Sequence, residues 1–316
     1  MRKLPYAYEP YGWAISTAEA ARIAGIPPED VLRFDGNIPP RPPPSARPET
    51  VAAALAAINA YTHGGYPLIH EAIAGYAGVE PGQVVLGAGA DDLIMLCARA
   101  FAGPGDRVAI ADEPTYPLIR LAVWLAGAEV SDADPVLTFC CRPHNPTGAL
   151  VDLPSARPLV VDEAYFEYAG ETAAGLLDDG VIVIRTFSKA FGLASARIGY
   201  LLADRGTAAA LRERQHPAPV STPSVALALA GLADPPDVGP TLAERDRLAE
   251  RLRALGLDPL PSWANFLYVP LAKASATAER LLQQGLLVRA FPEAIRITVR
   301  DAADDDRLLE ALAELL

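Results

Sequence analysis

The chain has 316 residues and a formal net charge of −12, and 51% of its residues are hydrophobic. The length predicts two domains or one large one, and the composition excludes a disordered or fibrous chain. The acidic balance disfavours a nucleic-acid partner, because phosphate contacts need clustered Lys and Arg. Apolar runs fall short of the roughly 20 residues of a membrane span, and the first residues lack a signal-peptide core. We therefore expect a soluble, cytoplasmic protein without a membrane partner.

Cysteine and lysine are both scarce. Three cysteines cannot form a disulfide framework. Cys140 and Cys141 lie in the apolar run VLTFCC, which predicts small buried side chains on a strand and no metal site. Chemistry that needs an amine has few candidates, which are Lys3, Lys189 and Lys273.

The amino-terminal part contains one predicted helix and one proline-rich segment. Ser16 and Glu19 have the spacing of a capping box, and Gly25 ends the helix that they begin. Residues 35–48 are too rich in proline for a helix or an inner strand, and predict an extended arm. Composition leaves open whether this arm is functional or a plain linker.

From residue 49 onward, helical patterns alternate with short apolar runs typical of strands buried on both faces. Helices are predicted near 49–59, 67–77, from Asp91 onward and at 116–126. Strands are predicted at 83–86, 107–111, 136–140, 158–162, 181–185 and 196–202. The alternation predicts an α/β fold with a doubly wound, mostly parallel sheet.

After about residue 204, long helices precede three further strands and a last helix, which predicts a smaller α+β domain. Helices are expected at 204–215, 222–233, 240–255 and 275–284, and strands at 265–269, 287–291 and 295–299. The predicted organisation is an arm and small-domain segment over 1–48, a large domain over 49–220 and a small carboxyl-terminal domain over 221–316.

Ligands of an open parallel sheet bind outside the carboxyl ends of its strands. After the first predicted strand, GAGADDL gives a glycine turn and a helix start at Ala90 and Asp91, whose backbone N–H groups suit a phosphate. By itself, this turn is more typical of a site without a ligand, and it lacks the G-x-G-x-x-G of a dinucleotide site. Tyr116 follows the second strand, where an aromatic ring packs in the core or stacks on a planar ligand.

Polar residues follow the next strands as well. Asn145 lies in the turn NPTG, and Asp162 closes a buried strand, where an unpaired carboxylate is costly. A protonated heterocyclic nitrogen would suit Asp162, and Tyr165 is close enough to share the same ligand. After the fifth of these strands, Lys189 lies in a glycine-containing loop, and burial there would activate its amine as a nucleophile. A hydrolytic Ser-Lys dyad is disfavoured, because no Ser-x-x-Lys or G-x-S-x-G pattern accompanies it.

In this order, the motifs NPTG, DEAY and SKAFG followed by Arg197 resemble those of the fold-type I aminotransferases, class I and II. The resemblance is closest to the histidinol-phosphate aminotransferase group, which also contains threonine-phosphate decarboxylase, and it runs from about residue 33 to the end. It implies an enzyme that uses pyridoxal 5′-phosphate (PLP) to move an amino group between a small-molecule donor and a 2-oxo acid. It also implies a homodimer with the active site at the interface.

The resemblance gives each motif residue a role toward the cofactor. Lys189 is implied to be the Schiff-base lysine and proton shuttle, and Asp162 the partner of the pyridine nitrogen. Tyr165 and Asn145 are implied to donate to the phenolic oxygen, and Tyr116 to stack on the ring. The implied phosphate cup consists of Ser188, Arg197 and the helix start at Ala90 and Asp91.

Other roles concern the partner subunit and the substrate. Tyr61 resembles the tyrosine that reaches the neighbouring subunit's cofactor phosphate, and Tyr66 is a rival for that role. Arg296 resembles the arginine that binds the substrate α-carboxylate. Arg289 matches a position near the substrate's distal group, although a structural salt bridge is an equal alternative. Asn37, in FDGNIPP, corresponds to a segment that lines the substrate pocket.

The chain departs from the family's pattern in places. The segments FDGNIPP and RPHNPTG differ from the family's usual sequences, which weakens the prediction of histidinol phosphate as substrate. His144, in the second segment, is expected to be a turn residue facing solvent, with a pocket residue as the alternative. The links from Val130 to Asn145 and from Gly148 to Asp162 look shortened. Two rival functions remain, a PLP-dependent decarboxylase and a non-catalytic module with this fold.

Overall fold

The computed structural model describes residues 14–56, 58–62 and 64–316. Its first helix, α1 (Thr17–Ala24), begins as the capping pattern predicts, because the Ser16 hydroxyl accepts a hydrogen bond from the Glu19 amide at 3.1 Å. Gly25 ends α1 in the left-handed conformation, with φ 69°. Lys3 lies outside the described residues.

The other elements agree closely with the predicted helices and strands. Further helices are α2 (Pro48–Leu55), α3 (Pro67–Ala77), α4 (Ala90–Phe101), α5 (Pro117–Ala126), α6 (Phe166–Ala169), α7 (Arg205–Arg212), α8 (Thr222–Ala233), α9 (Gly239–Ala254), α10 (Ala274–Leu282) and α11 (Ala302–Leu315). Strands are β1 (Leu32–Phe34), β2 (Val84–Gly87), β3 (Arg107–Ile110), β4 (Glu129–Val130), β5 (Leu137–Cys141), β6 (Leu159–Asp162), β7 (Val181–Thr186), β8 (Gly199–Leu202), β9 (Phe266–Pro270), β10 (Leu286–Phe291) and β11 (Ala294–Thr298). Among the described residues, none of the helices is long and apolar enough to span a membrane.

Within the described residues, the large sheet has seven strands in the order β2-β8-β7-β6-β5-β3-β4. From β7 to β4 all neighbours are parallel, whereas β8 runs antiparallel to both β7 and β2. Apolar cores cover both faces, one with α4 and α5 and the other with α3 and α8. This confirms the predicted α/β fold with a mostly parallel sheet, and Cys140 and Cys141 are buried in β5 as expected.

A second, smaller sheet has the order β1-β10-β11-β9. Helices α9 and α11 pack on it around residues such as Leu248, Ile297 and Leu308. Strand β1 was missing from the sequence prediction because it is only three residues long and pairs with β10, far away in the chain. The proline-rich arm follows β1 directly, so its first residues leave from the smaller sheet.

The contacts of helix α8 indicate where along the chain the large domain ends. This helix packs against α2 and α3 of the large domain. We therefore propose a boundary near residue 234, rather than at residue 220, as a refinement of the division expected from sequence.

Candidate active site

A cavity of about 590 Å³ lies at the carboxyl ends of the parallel strands, with β10 and β11 of the smaller sheet forming part of its wall. All but one of the predicted site residues line it. They are Asn37, Ala90, Asp91, Tyr116, Asn145, Asp162, Tyr165, Ser188, Lys189, Arg197, Arg289 and Arg296. The strand order explains most of this convergence, because β2, β3, β5, β6 and β7 bring their following loops to one edge of the sheet. The arm and the smaller sheet supply the other three residues, which are Asn37, Arg289 and Arg296.

Lys189 follows β7 and is half-buried. Its Nζ donates a hydrogen bond to the Gly36 carbonyl at 3.2 Å and lies 5.8 Å from the centre of the Tyr165 ring. Burial, reinforced by the positive charge of Arg296, lowers the pKa of the Lys189 amine to about 8. A larger fraction of this amine than of an ordinary lysine is therefore uncharged near neutral pH and able to act as a nucleophile.

Asp162 is the last residue of β6 and is 3% exposed. Within the described residues its carboxylate accepts a hydrogen bond from the Ala164 amide at 3.1 Å. Burial raises the pKa of the Asp162 carboxyl to about 7, which shows that the protein alone stabilises its charge poorly. A buried carboxylate at a cavity wall suits a ligand that brings a positive charge.

Arg296, on β11, connects the smaller sheet to the loop after β5. Its Nη1 donates to Asn145 Oδ1 at 2.6 Å, and its Nη2 donates to the Asp35 carbonyl at 3.0 Å. Because Asn145 Oδ1 accepts from an arginine, the Asn145 amide is oriented with its NH₂ group available as a donor. The guanidinium of Arg296 also lies 5.2 Å from the ring centre of Phe266.

Asn37 holds the hydroxyl of Tyr165. Asn37 has a left-handed backbone, with φ 52°, and Thr298 bonds both its amide and its side-chain oxygen. Its Nδ2 donates to the Tyr165 hydroxyl at 3.0 Å, so the Tyr165 proton remains available to a ligand. Burial raises the pKa of Tyr165, so the hydroxyl stays protonated. The proline-rich arm thus contributes to the site.

The start of α4 and the loop after β7 bring together groups that can donate hydrogen bonds to an anion. A Cβ atom on Gly199 would lie 2.8 Å from the Arg185 carbonyl oxygen and 3.1 Å from the Ala90 amide nitrogen, so glycine lets β8 approach the start of α4. Ser188 Oγ accepts from Thr186 Oγ1 at 2.9 Å and keeps its own proton to donate. Helix N–H groups, a hydroxyl and a guanidinium together are a donor set suited to phosphate.

Asp91 links two of the predicted cofactor residues. Its Oδ1 accepts from the Tyr116 hydroxyl and its Oδ2 from Arg197 Nη2, each at 3.0 Å. Arg197 itself has a left-handed backbone, with φ 48°, and also donates to the Ala194 carbonyl. Tyr116 and Arg197 are therefore joined through one carboxylate.

Tyr61 lies outside the cavity and is 80% exposed. The hydroxyl of its rival, Tyr66, donates to the Val220 carbonyl of the same chain at 2.8 Å. This bond favours Tyr61, whose side chain projects from the surface, as the tyrosine that would reach a second subunit.

Arg289 lines the cavity beside Arg296, its register partner on β11. Within the described part of the chain, no carboxylate forms a salt bridge with Arg289. This geometry gives no support to a structural salt bridge as its main role.

Two features of the site were missed or wrong in the sequence analysis. Asp35 lines the cavity and is salt-bridged to Arg33 at 2.7 Å. The alternation of Arg33 and Asp35 with the apolar Leu32 and Phe34 is the sequence pattern that could have indicated a strand with its polar side facing the site. The expectation that His144 faces solvent is wrong, because His144 is 6% exposed and both its ring nitrogens have partners in the protein.

Known proteins similar to this chain agree with the geometry. The family model "Aminotransferase class I and II" matches residues 29–136 and 132–312. Histidinol-phosphate aminotransferase 2 of Pseudomonas aeruginosa is 31% identical, over 94% of this chain and 92% of that protein. Histidinol-phosphate aminotransferase 1 of Dechloromonas aromatica is 32% identical, over 98% and 97%.

Solved structures give the same result. The histidinol-phosphate aminotransferase of Sinorhizobium meliloti, in complex with pyridoxal-5′-phosphate, superposes with a TM-score of 0.81 at 27% identity, covering 96% of this chain and 95% of its own. L-threonine-O-3-phosphate decarboxylase of Porphyromonas gingivalis has a TM-score of 0.78, but at 18% identity it shows the shared fold alone. On these grounds, the chain belongs to the family of class I and II aminotransferases.

Proposed function

We propose that the chain is a PLP-dependent aminotransferase similar to histidinol-phosphate aminotransferase. It moves an amino group between an amino acid or an amino-phosphate donor and a 2-oxo acid. The observation that carries the proposal is the presence of Lys189, Asp162 and Arg296 on the wall of one cavity. The reaction needs an amine that holds the cofactor and moves protons, a negative charge for the ring nitrogen, and a positive charge for the substrate. The lysine with a lowered pKa, the buried carboxylate and the guanidinium match these needs in that order.

The cavity residues fit PLP part by part. Asp162 would face the ring nitrogen, Tyr116 would cover the ring, and Tyr165 with Asn145 would donate to the phenolic oxygen. Residues for the phosphate are Ala90, Asp91, Ser188 and Arg197, with Tyr61 of a second subunit. When bound, PLP supplies an electron sink for the electron pair released at the substrate α-carbon.

The protein's own residues supply the binding and the proton transfers. Lys189 Nζ would hold the cofactor, and as a free amine with a lowered pKa it would take and return protons at the substrate α-carbon. Arg296 orients the substrate by binding its carboxylate or phosphate as a fork. Arg289 adds a second positive charge for a distal anionic group. Asp162, at the other end, keeps its negative charge toward the ring nitrogen.

We further propose that two copies of the chain form the active enzyme. Large apolar side chains are exposed on α2, on the segment after it and on α3, which is the composition of an interface. They are Leu55, Ile58, Tyr61 and Leu68. Sedimentation of the purified protein should give a dimer, and Tyr61→Phe should weaken PLP binding while Tyr66→Phe does not. A monomer that binds PLP with full affinity would contradict this part.

We place the enzyme in the cytoplasm. Its cysteines Cys97, Cys140 and Cys141 are unpaired and buried, as is usual in a reducing compartment. Cell fractionation with an antibody to the chain tests the assignment, and recovery of the protein outside the cytoplasmic fraction would contradict it.

The experiment for the function uses the purified chain mixed with PLP. We expect the absorption of bound PLP, a borohydride-trapped adduct on Lys189, and conversion of the bound cofactor to its amino form by some amines. Lys273→Ala is the matched control for Lys189→Ala, since Lys273 lies away from the cavity. A screen of amino acids and phosphorylated amines identifies the donor. Failure to bind PLP would overturn the proposal, and release of carbon dioxide without the amino form would assign the chain to decarboxylation.

A further inference from the structure

His144 is a buried histidine beside the site that lines no part of the cavity. It lies in the loop after β5, immediately before Asn145. Its Nδ1 lies 2.8 Å from Thr147 Oγ1 of the same loop, and its Nε2 lies 2.8 Å from the Asp112 carbonyl oxygen, in the loop after β3. One side chain therefore connects the loops that follow two neighbouring strands.

The partners of His144 determine the direction of each hydrogen bond. A carbonyl oxygen only accepts, so Nε2 must carry a hydrogen and donate to Asp112. Burial lowers the pKa of His144 and favours the neutral ring, in which Nδ1 then accepts from the Thr147 hydroxyl. The result is a directed chain of bonds from Thr147 through His144 to Asp112.

Asp112, whose carbonyl accepts the last of these hydrogen bonds, has an unfavourable backbone conformation. Asp112 adopts a left-handed conformation with φ 55°, which costs energy for a residue other than glycine. Such a conformation persists where surrounding contacts hold it, and the bond from His144 to the Asp112 carbonyl is one such contact. Tyr116 follows four residues later, at the start of α5, so the turn at Asp112 sets where its ring lies.

A second bond joins the same two loops closer to the cavity. Thr115 Oγ1 donates to the Asn145 carbonyl at 3.2 Å. Asn145 itself and Tyr116, which follows Thr115 in the chain, both line the cavity. The two ties together fix the relative positions of the side chains that would cover the cofactor ring and donate to its phenolic oxygen.

We propose that His144 is a positioning residue, which sets the ring of Tyr116 and the amide of Asn145 by fastening the Asp112 turn to the loop after β5. The inference rests on the proposed function, because both of these side chains are there assigned to PLP. His144 touches neither cofactor nor substrate and acts through the other two residues.

Two substitutions separate the two bonds of His144. The Nδ1 of histidine and the side-chain amide atoms of asparagine are equally far from Cβ along the chain, and Nε2 corresponds in the same way to the amide of glutamine. His144→Asn therefore keeps a partner for Thr147 but leaves the Asp112 carbonyl without its donor. His144→Gln keeps a donor that reaches Asp112 and serves as the matched control.

The test measures PLP release from the holoenzyme and the visible circular dichroism of the bound cofactor. We expect His144→Asn to raise the PLP dissociation constant about tenfold, because a loosened Asp112 turn populates arrangements of Tyr116 and Asn145 that bind the cofactor less well, and to alter the dichroism. His144→Gln should resemble the wild type in both. A merely structural role would lower the unfolding temperature of both apo variants and leave the dichroism unchanged.

The outcomes distinguish this inference from the proposed function. If the wild type binds no PLP, the proposed function fails. If the wild type binds PLP and His144→Asn matches it in affinity and dichroism, the role of His144 is overturned. Should His144→Asn not fold, His144→Leu, which also leaves the Asp112 carbonyl without its donor, must shift the dichroism in comparison with His144→Gln, and an unchanged signal in that pair also overturns the role.

Discussion

Asp162 and Glu163 are consecutive residues at the end of β6, and both are buried, but their surroundings are opposite. The Asp162 carboxylate lines the cavity and accepts a hydrogen bond from the Ala164 amide. Glu163 accepts from Arg185 Nε at 3.0 Å and from the Thr172 hydroxyl at 2.9 Å. Glu163 forms an ion pair with Arg185, whereas Asp162 forms no ion pair among the described residues and faces the cavity.

The difference follows from the alternation of side chains along a strand. One residue points toward the ligand side and the next toward the packed interior, where the Arg185 guanidinium also lies 3.5 Å from the centre of the Phe166 ring. A satisfied buried charge is part of the structure. A buried charge that lacks its counter-charge marks the place of a ligand. The two residues should therefore respond to mutation in opposite ways.

Glu163→Gln should cause the largest change, and the change should be in stability. Removing this carboxylate leaves the Arg185 guanidinium buried without its main counter-charge, which costs about 3–5 kcal/mol. Urea unfolding of the apo protein measures it. The matched control is a double replacement of Glu163 and Arg185 by Leu and Met, which should recover part of the loss. Unchanged stability together with lost activity would show that Glu163 is a site residue and would break the comparison.

Asp162→Asn should instead act on catalysis. It removes the negative charge that would face the cofactor's ring nitrogen, and we expect kcat to fall about 10²–10³-fold, as when a preorganised charge interaction is removed. The apo protein should be no less stable, because an isolated buried carboxylate is lost. Steady-state kinetics and urea unfolding of one preparation give both values. Full activity of this variant would contradict the assignment of Asp162.

The pH dependence of apo stability sharpens the same contrast. Burial raises the pKa of Asp162 from an ordinary 3.8 to about 7. Below the ordinary value the carboxyl is protonated in both folded and unfolded chains, and as pH rises toward 7 the unfolded chain ionises first, so stability is lost. Between pH 5 and pH 7 the wild type should lose about 2 kcal/mol relative to Asp162→Asn. Parallel profiles for the two proteins would contradict this.

Sequence predicted most strands of the large sheet and half of the residues that line the cavity, because strands and the loops directly after them are marked by local order. The resemblance to the family supplied Asn37, Arg289 and Arg296. Continuous apolar runs mark buried strands, and the residues directly after those strands must meet at one edge of the sheet. Asn145, Asp162 and Lys189 were found by that rule alone, before any resemblance was considered. Strand β4 escaped because two residues carry too little pattern.

What sequence could not predict are the pairings across the chain. Asn37 and Tyr165 are hydrogen-bonded although 128 positions separate them. The burial of His144 depends on the Asp112 turn, which belongs to another strand's loop. The ion pair of Glu163 with Arg185 requires β6 and β7 to be neighbours in register, and single residues do not encode that.

The smallest effect should come from Thr172, whose hydroxyl donates to Glu163 and accepts from Arg185 Nη2 at 2.7 Å. Thr172→Val removes both bonds, and a third that the hydroxyl accepts from the Ala174 amide, but keeps the shape of the side chain and the ion pair itself. Thr172 is exposed, so water can replace part of the loss, and we expect destabilisation of about 1 kcal/mol. Thr172→Ser retains the hydroxyl and should match the wild type in urea unfolding. PLP affinity should be the same in all three proteins, because the contacts of Glu163 stabilise the fold and do not reach the cavity. A weakened affinity in Thr172→Val would show that the two sides of β6 are coupled.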